Sequence, residues 1–267
     1  MRPLTFALAT ALMAGAAVAS DDNDLTAYGV TANGAVVSFK LGDPGKARKM
    51  KPVNGLTMGE RIAGIDFRPA NKMLYAVTNR SRIYTIDLAT MRATAVGALT
   101  TALTGAATGV DFNPVPDRIR IVNDADQNLR ANPADGTNVV DKPLAYAAAD
   151  ANAGKNPMVV AAGYTDNVAG TKTTTLYVID AALGILAKQA PPNDGILNTV
   201  GSLGVRFNTL TGFDISTDAA GGNHAYAVTA VGRSAMSRLY KIDLATGAAS
   251  DLGIVRGGLL TGFAIQP

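Results

Sequence analysis

Gly64-Ile65-Asp66-Phe67-Arg68-Pro69 returns 45 residues later as Gly109-Val110-Asp111-Phe112-Asn113-Pro114. It returns again after a further 103 residues as Gly212-Phe213-Asp214-Ile215, and 50 residues beyond that as Gly262-Phe263-Ala264-Ile265. Recurrence at a near-constant spacing marks a repeat architecture, in which each unit is too small to bury its own apolar face and relies on its neighbours. The middle gap is about twice the others, so a degenerate copy is expected inside it.

Each copy is followed by a second strand-like run: Leu74 to Thr78, Ile119 to Asn123 and Ala225 to Thr229. A third follows in register, as Ile83 to Thr90 and as Leu239 to Gly247. Alternating β-branched and aromatic residues closed by an Asp-x-x-Thr turn predict antiparallel hairpins. A fourth run, such as Ala93 to Leu99 or Thr199 to Leu203, closes the unit. In the degenerate copy the first strand is expected at Ala145 to Ala149, the second at Val159 to Thr165, and the third at Leu176 to Asp180 with the turn Ala181 to Gly184.

The last copy supplies only a first strand, while Ala27 to Thr31, Ala35 to Leu41 and Arg48 to Val53 supply the other three. A unit shared between the two ends joins a ring and buries edges that an open array exposes. The expectation is an all-β propeller of about five four-stranded blades, closed by N-terminal strands pairing with the C-terminal strand. A β-sandwich needs no unit completed across the termini.

Composition narrows the chemistry. With 48% hydrophobic and 17% charged residues the chain has the composition of a folded domain. An apolar run from Leu4 to Val18 ends in Ala17-Val18-Ala19, followed closely by Asp21-Asp22-Asn23-Asp24. This pattern predicts a signal peptide over residues 1–19, export to the periplasm or beyond, and a single domain over 20–267 with no membrane span. There is no cysteine for disulfide or thiolate chemistry. A net charge of +3, no Trp and 6% aromatic residues do not suit nucleic-acid binding. Lys46, Arg48, Lys49 and Lys51, framed by Pro44, Gly45 and Pro52, read as a solvated loop.

The chain has one histidine, His224, and one glutamate, Glu60. A zinc site built of several His or Cys ligands cannot be assembled, and a glutamate pair for glycoside hydrolysis is excluded, although an aspartate pair is not. A Ser-His-Asp triad would require His224, which sits at the mouth of a strand after Gly221-Gly222 and reads as a hydrogen-bonded turn residue.

The stretch Gly109 to Asn123, continuing through Gln127-Asn128-Leu129-Arg130-Ala131-Asn132-Pro133 to Gly136, resembles the central block of a bacterial secreted family catalogued as a domain of unknown function, number four-three-nine-four. Tyr164-Thr165-Asp166-Asn167, Thr174 to Tyr177 and Leu197 to Gly201 resemble its later blocks. The resemblance implies export and a repeat-built β fold, and it brings no activity.

Candidate sites lie mainly in the second blade. Arg118 and Arg120 occupy alternate positions of one strand, and Asp111, Asn113, Asn123, Asn128 and Arg130 lie close in sequence. Such a set can bind a carboxylate, phosphate or sugar through bidentate hydrogen bonds, or can form salt bridges between blades. Asp124, Asp126, Asn128 and Asp135 imitate a calcium loop, but Leu129 stands where such loops need glycine. Asp66, Asp111 and Asp214 recur at one position of the innermost strand, with Ala264 and Ala147 expected in the other two blades. They can hold a cation such as calcium on the axis, or pin backbone N–H groups; no cofactor is expected otherwise. Asp87, Asp180 and Asp243 read as turn residues, and Gln189 to Gly195 as an inserted loop that either caps one face or lengthens a connection. Two functions follow: a non-catalytic binding module for a protein, glycan or small molecule, or a divalent-metal-assisted hydrolase or lyase using Asp and Asn oxygens.

Overall fold

The computed structural model describes residues 22–232 and 234–267, so the signal peptide expected over residues 1–19 lies outside the described residues. The chain is all-β, with five antiparallel sheets arranged as a five-bladed propeller. Blade 1 comprises Ile62–Phe67, Leu74–Thr78, Arg82–Asp87 and Arg92–Ala98, from the axis outward. Blade 2 follows with Thr108–Asn113, Arg118–Asn123, Asn128–Ala131 and Asn138–Val140. Blade 4 contains Thr211–Thr217, Asn223–Ala230, Ser237–Ile242 and Ala249–Val255. Blade 5 combines the two ends of the sequence: Leu260–Ile265 pairs with Thr26–Thr31, followed by Ala35–Lys40 and Asp43–Pro52. The innermost strands of successive blades pack on one another in a closed circle, blade 5 against blade 1 included.

Blade 3 departs from the expected register. Its innermost strand is Val159–Tyr164, followed by Leu176–Asp180, Ile185–Gln189 and Ile196–Ser202. The runs expected as second and third are therefore first and second, Ile185–Gln189 enters as an unexpected third strand, and the run expected as fourth keeps its place. Ala145–Tyr146 forms a two-residue strand parallel to Ile196–Ser202 on the outer edge. Its Tyr146 hydroxyl donates to Asp180 Oδ2 at 2.6 Å, which makes Asp180 a buried anchor in addition to a turn residue. Asp87 and Asp243 are turn residues as expected, each accepting two backbone N–H bonds. The basic segment expected as a loop is the ten-residue outer strand of blade 5. Lysine and proline on such an edge oppose pairing with another chain.

Five apolar clusters lie one at each interface between blades. Tyr75, Val110, Phe112 and Leu129 join blades 1 and 2, whereas Tyr177, Ile179, Phe213 and Tyr240 join blades 3 and 4. Without Trp, docking falls to Tyr and Phe, with Tyr75 and Phe112 meeting edge to face at 5.1 Å.

Glycine recurs two residues before the Asp position because the inner strands nearly touch there. A Cβ on Gly109 would stand 2.7 Å from the backbone of Ala161 and Ala162 in the next blade. Gly109→Ala is therefore expected to destabilise the fold by about 1–3 kcal/mol, read as a lower urea midpoint. An unchanged midpoint would mean that the blades separate without cost.

Candidate functional site

The acids of the inner strands stand at equivalent points, each opposite a fixed place on the second strand: Asp66 faces Tyr75, Asp111 faces Arg120 and Asp214 faces Tyr226. The matching pairs in blades 5 and 3 are Ala264 with Tyr28 and Gly163 with Tyr177. Gly163, not Ala147, thus holds the blade 3 position, because Ala147 follows the outer-edge strand. All three acids are 1% exposed, and one carboxylate oxygen from each lies within 4.8 Å of the others.

Their hydrogen bonds run across the interfaces. Asp66 accepts the N–H of Phe67 and that of Phe112 in blade 2, both at 2.7 Å. Asp214 accepts from Ile215 and from Ile265 in blade 5, both at 2.6 Å. Asp111 Oδ1 accepts from Tyr164 in blade 3 at 3.0 Å, while its Oδ2 is buried without a partner. The structural reading of the recurrent Asp therefore fits: each ties its own blade to the next. Burial pushes all three carboxyls upward, that of Asp214 to about 6, with mutual repulsion adding to the rise at Asp66 and Asp111.

The second-blade residues divide between a buried network around Asp141 and side chains spent on local turns. Arg120 is 1% exposed and donates to Tyr164 Oη, Asn128 Oδ1, Asp141 Oδ2 and Asn193 Oδ1 at 2.6–3.2 Å. Arg130 holds the same Asp141 carboxylate at 2.7 and 2.8 Å. Asn128 donates to Lys142 O and Pro192 O. The inserted segment after Gln189 therefore braces blade 3 against blade 2. Arg118, by contrast, is exposed and donates to the carbonyls of Pro116 and Asp117. Asn123 is spent on the turn that follows it, and Asn113 Oδ1 accepts Val115 N–H. Arg120, Asn128 and Arg130 thus gather around Asp141, Asp111 accepts the Tyr164 N–H, and Asn113, Arg118 and Asn123 serve their own turns. The imitation calcium loop is likewise dispersed: Asn128 belongs to Arg120, Asp124 accepts Ala106 and Ala107 N–H, and Asp135 serves Thr137.

His224 lies between two carboxylates, Nδ1 at 2.9 Å from Asp22 and Nε2 at 2.9 Å from Asp218. Both ring nitrogens are occupied, so neither is placed to deprotonate a serine hydroxyl.

A depression that the sequence did not reveal opens where the inner strands end. Its volume is about 340 Å³. Ile215 to Asp218 of blade 4, Ile265 to Pro267 of blade 5, Pro69 and Lys72 after the blade 1 inner strand, Asn167 to Ala169 after that of blade 3, and Leu25 line it. The surface is chiefly apolar in area, with Lys72, Asn167, Ser216, Thr217, Asp218 and Gln266 as its polar residues. Asn167 Oδ1 is buried without a partner, and Val168 is 51% exposed. The one available signal in the sequence was Val168, an apolar residue directly after the polar run Thr165-Asp166-Asn167.

The family model described as Domain of unknown function (DUF4394) matches residues 35–264. Similar solved structures include a structural genomics protein of unknown function from Bacteroides thetaiotaomicron, 18% identical with a TM-score of 0.51. The match covers 88% of this chain and 59% of that one, so the chain spans little more than half of that protein's length. Another is a chain of a nidogen/laminin complex, 14% identical with a TM-score of 0.50, covering 91% of this chain and 98% of that one. At such identities the likeness concerns the fold alone. No curated protein matches.

Proposed function

Because the chain belongs to the family described as Domain of unknown function (DUF4394), which assigns it no activity, we propose from the site itself that it is a non-catalytic binding module. The ligand is a small molecule with an apolar body and a hydrogen-bonding end, held in the depression on the axis. The observation that carries this reading is the depression: about 340 Å³, contributed by four blades and chiefly apolar around a few polar groups. Small-molecule sites commonly have volumes of about 300–1,000 Å³ and this kind of lining. The hydrolase reading has less support, since Asp66, Asp111 and Asp214 are buried between blades, where a substrate cannot reach them.

The test is titration with an anilinonaphthalene sulfonate dye, which has an apolar body and a polar end, followed by Val168→Asp. Saturable one-to-one binding that weakens at least about tenfold in the variant supports the site. Equal binding by both proteins sinks it.

Export is proposed on the sequence alone, from Leu4 to Val18 and the Ala17-Val18-Ala19 site. Native protein from the producing cell is then expected to begin at Ser20; an intact Met1 refutes cleavage. Among the described residues no helix is long and apolar enough to cross a membrane.

A further inference from the structure

We propose that the propeller axis carries a divalent-cation site, with calcium as the ion to be tested, whose protein ligands are the carboxylates of Asp66, Asp111 and Asp214. The pinning role accounts for five of the six carboxylate oxygens, each of which accepts one backbone N–H. It leaves Asp111 Oδ2 unexplained, a carboxylate oxygen buried with no partner. Leaving a buried polar atom unpaired is costly, and more so when it carries charge. Nor does pinning require the three groups to converge. One acid per interface suffices, yet oxygens from all three come within 4.8 Å of one another.

The charge balance points the same way. Both oxygens of Asp66 and both of Asp214 are engaged by N–H donors, the pattern that suits an anion. Among the described residues no Lys, Arg or His forms an ion pair with any of the three. Arg120, which pairs with Asp111 across the strands, is spent on Asn128, Asp141, Asn193 and Tyr164. Three buried carboxyl groups converge there with no cationic side chain among the described residues paired to them, and a divalent ion supplies that compensation.

Size fits as well. Calcium binds oxygen at about 2.3–2.6 Å, so oxygens within 4.8 Å of one another can share one such ion. Each carboxylate oxygen that accepts one N–H retains a lone pair for the ion. Along the same inner strands, Thr108, Thr211 and Thr261 border a cavity of about 10 Å³, on the scale of a single water. The ion's role is to clamp the inner ring, with no part in a reaction.

The experiment uses protein stripped with a chelator and titrated with calcium chloride by calorimetry and thermal unfolding. One ion per chain is expected, with a raised melting temperature and saturation by about 1 mM, the range of weak extracellular sites. Asp111→Asn keeps an oxygen for the Tyr164 N–H and replaces Oδ2 with an amide donor. It is expected to weaken calcium binding at least tenfold while the stripped variant melts no lower than the stripped parent. A parent indifferent to calcium and magnesium, and free of stoichiometric metal by elemental analysis when purified without chelator, overturns the proposal. A full calcium response retained in Asp111→Asn overturns it too, by placing the ion elsewhere. Dye binding in the axial depression, measured on the same samples, is a separate readout, so failure of either idea is recognisable without the other.

Discussion

Replacing Arg120 with alanine is expected to cost about 3 kcal/mol or more of folding stability, the scale of breaking a buried ion pair by removing one partner. The guanidinium is 1% exposed and satisfies Asp141, Asn128, Asn193 and Tyr164 together. Its loss leaves two amide oxygens without their strongest donor and opens a void between blades 2 and 3. Arg130 stays on Asp141 and limits the damage. Arg130→Ala, from a side chain 32% exposed, should therefore cost less, and the exposed Arg118→Ala should stay within about 0.5 kcal/mol. Urea denaturation of the three variants gives the ranking. If Arg120→Ala unfolds at the parent's midpoint yet loses ligand binding, the ligand reading of this blade replaces the brace reading.

That contrast shows where one dimension of information runs out. Both readings of Arg120 were open because its partners are remote: Asp141 is 21 residues away and Asn193 is 73 residues away, in another blade. Four inner strands were readable because Gly-x-Asp-aromatic or Gly-x-Asp-Ile repeats, and even the exception at Ala264 kept its glycine. The fifth was not. Val159–Tyr164 reads Val-Val-Ala-Ala-Gly-Tyr, is buried on both faces and lacks the acid, so neither motif nor alternation marks it. The short outer-edge strand at Ala145–Tyr146 then took its place in the count. The three acids were legible as a repeat, but their convergence and the spare oxygen of Asp111 belong to the closed ring. The axial depression was invisible for the same reason, since it is assembled from connections in four blades.

Stability in chelator is expected to fall as pH rises from about 4 to 7, the reverse of ordinary acid denaturation. The unfolded carboxyls titrate near 3.9. In the folded ring Asp214 is pushed up to about 6, and burial raises Asp66 and Asp111 as well. Between those values the native state binds more protons than the unfolded chain, so each rise in pH draws the equilibrium toward unfolding. For Asp214 alone the displacement corresponds to about 3 kcal/mol, lost progressively and complete once the pH exceeds its folded value. The oppositely shifted acids Asp87, Asp218 and Asp243, held down by backbone or His224 hydrogen bonds, act at lower pH, where their contribution disappears as they protonate. The melting temperature should therefore be highest near pH 4–5 and decline toward neutrality. Calcium should cancel the decline at pH 7 by supplying the positive charge that protons supply in acid. Asp111→Asn should flatten it, because the substitution removes one buried charge and the repulsion it exerts. A profile in chelator that rises steadily from pH 4 to 7 would place the balancing charge already within the chain, leaving neither a proton nor a metal ion with work to do at the axis.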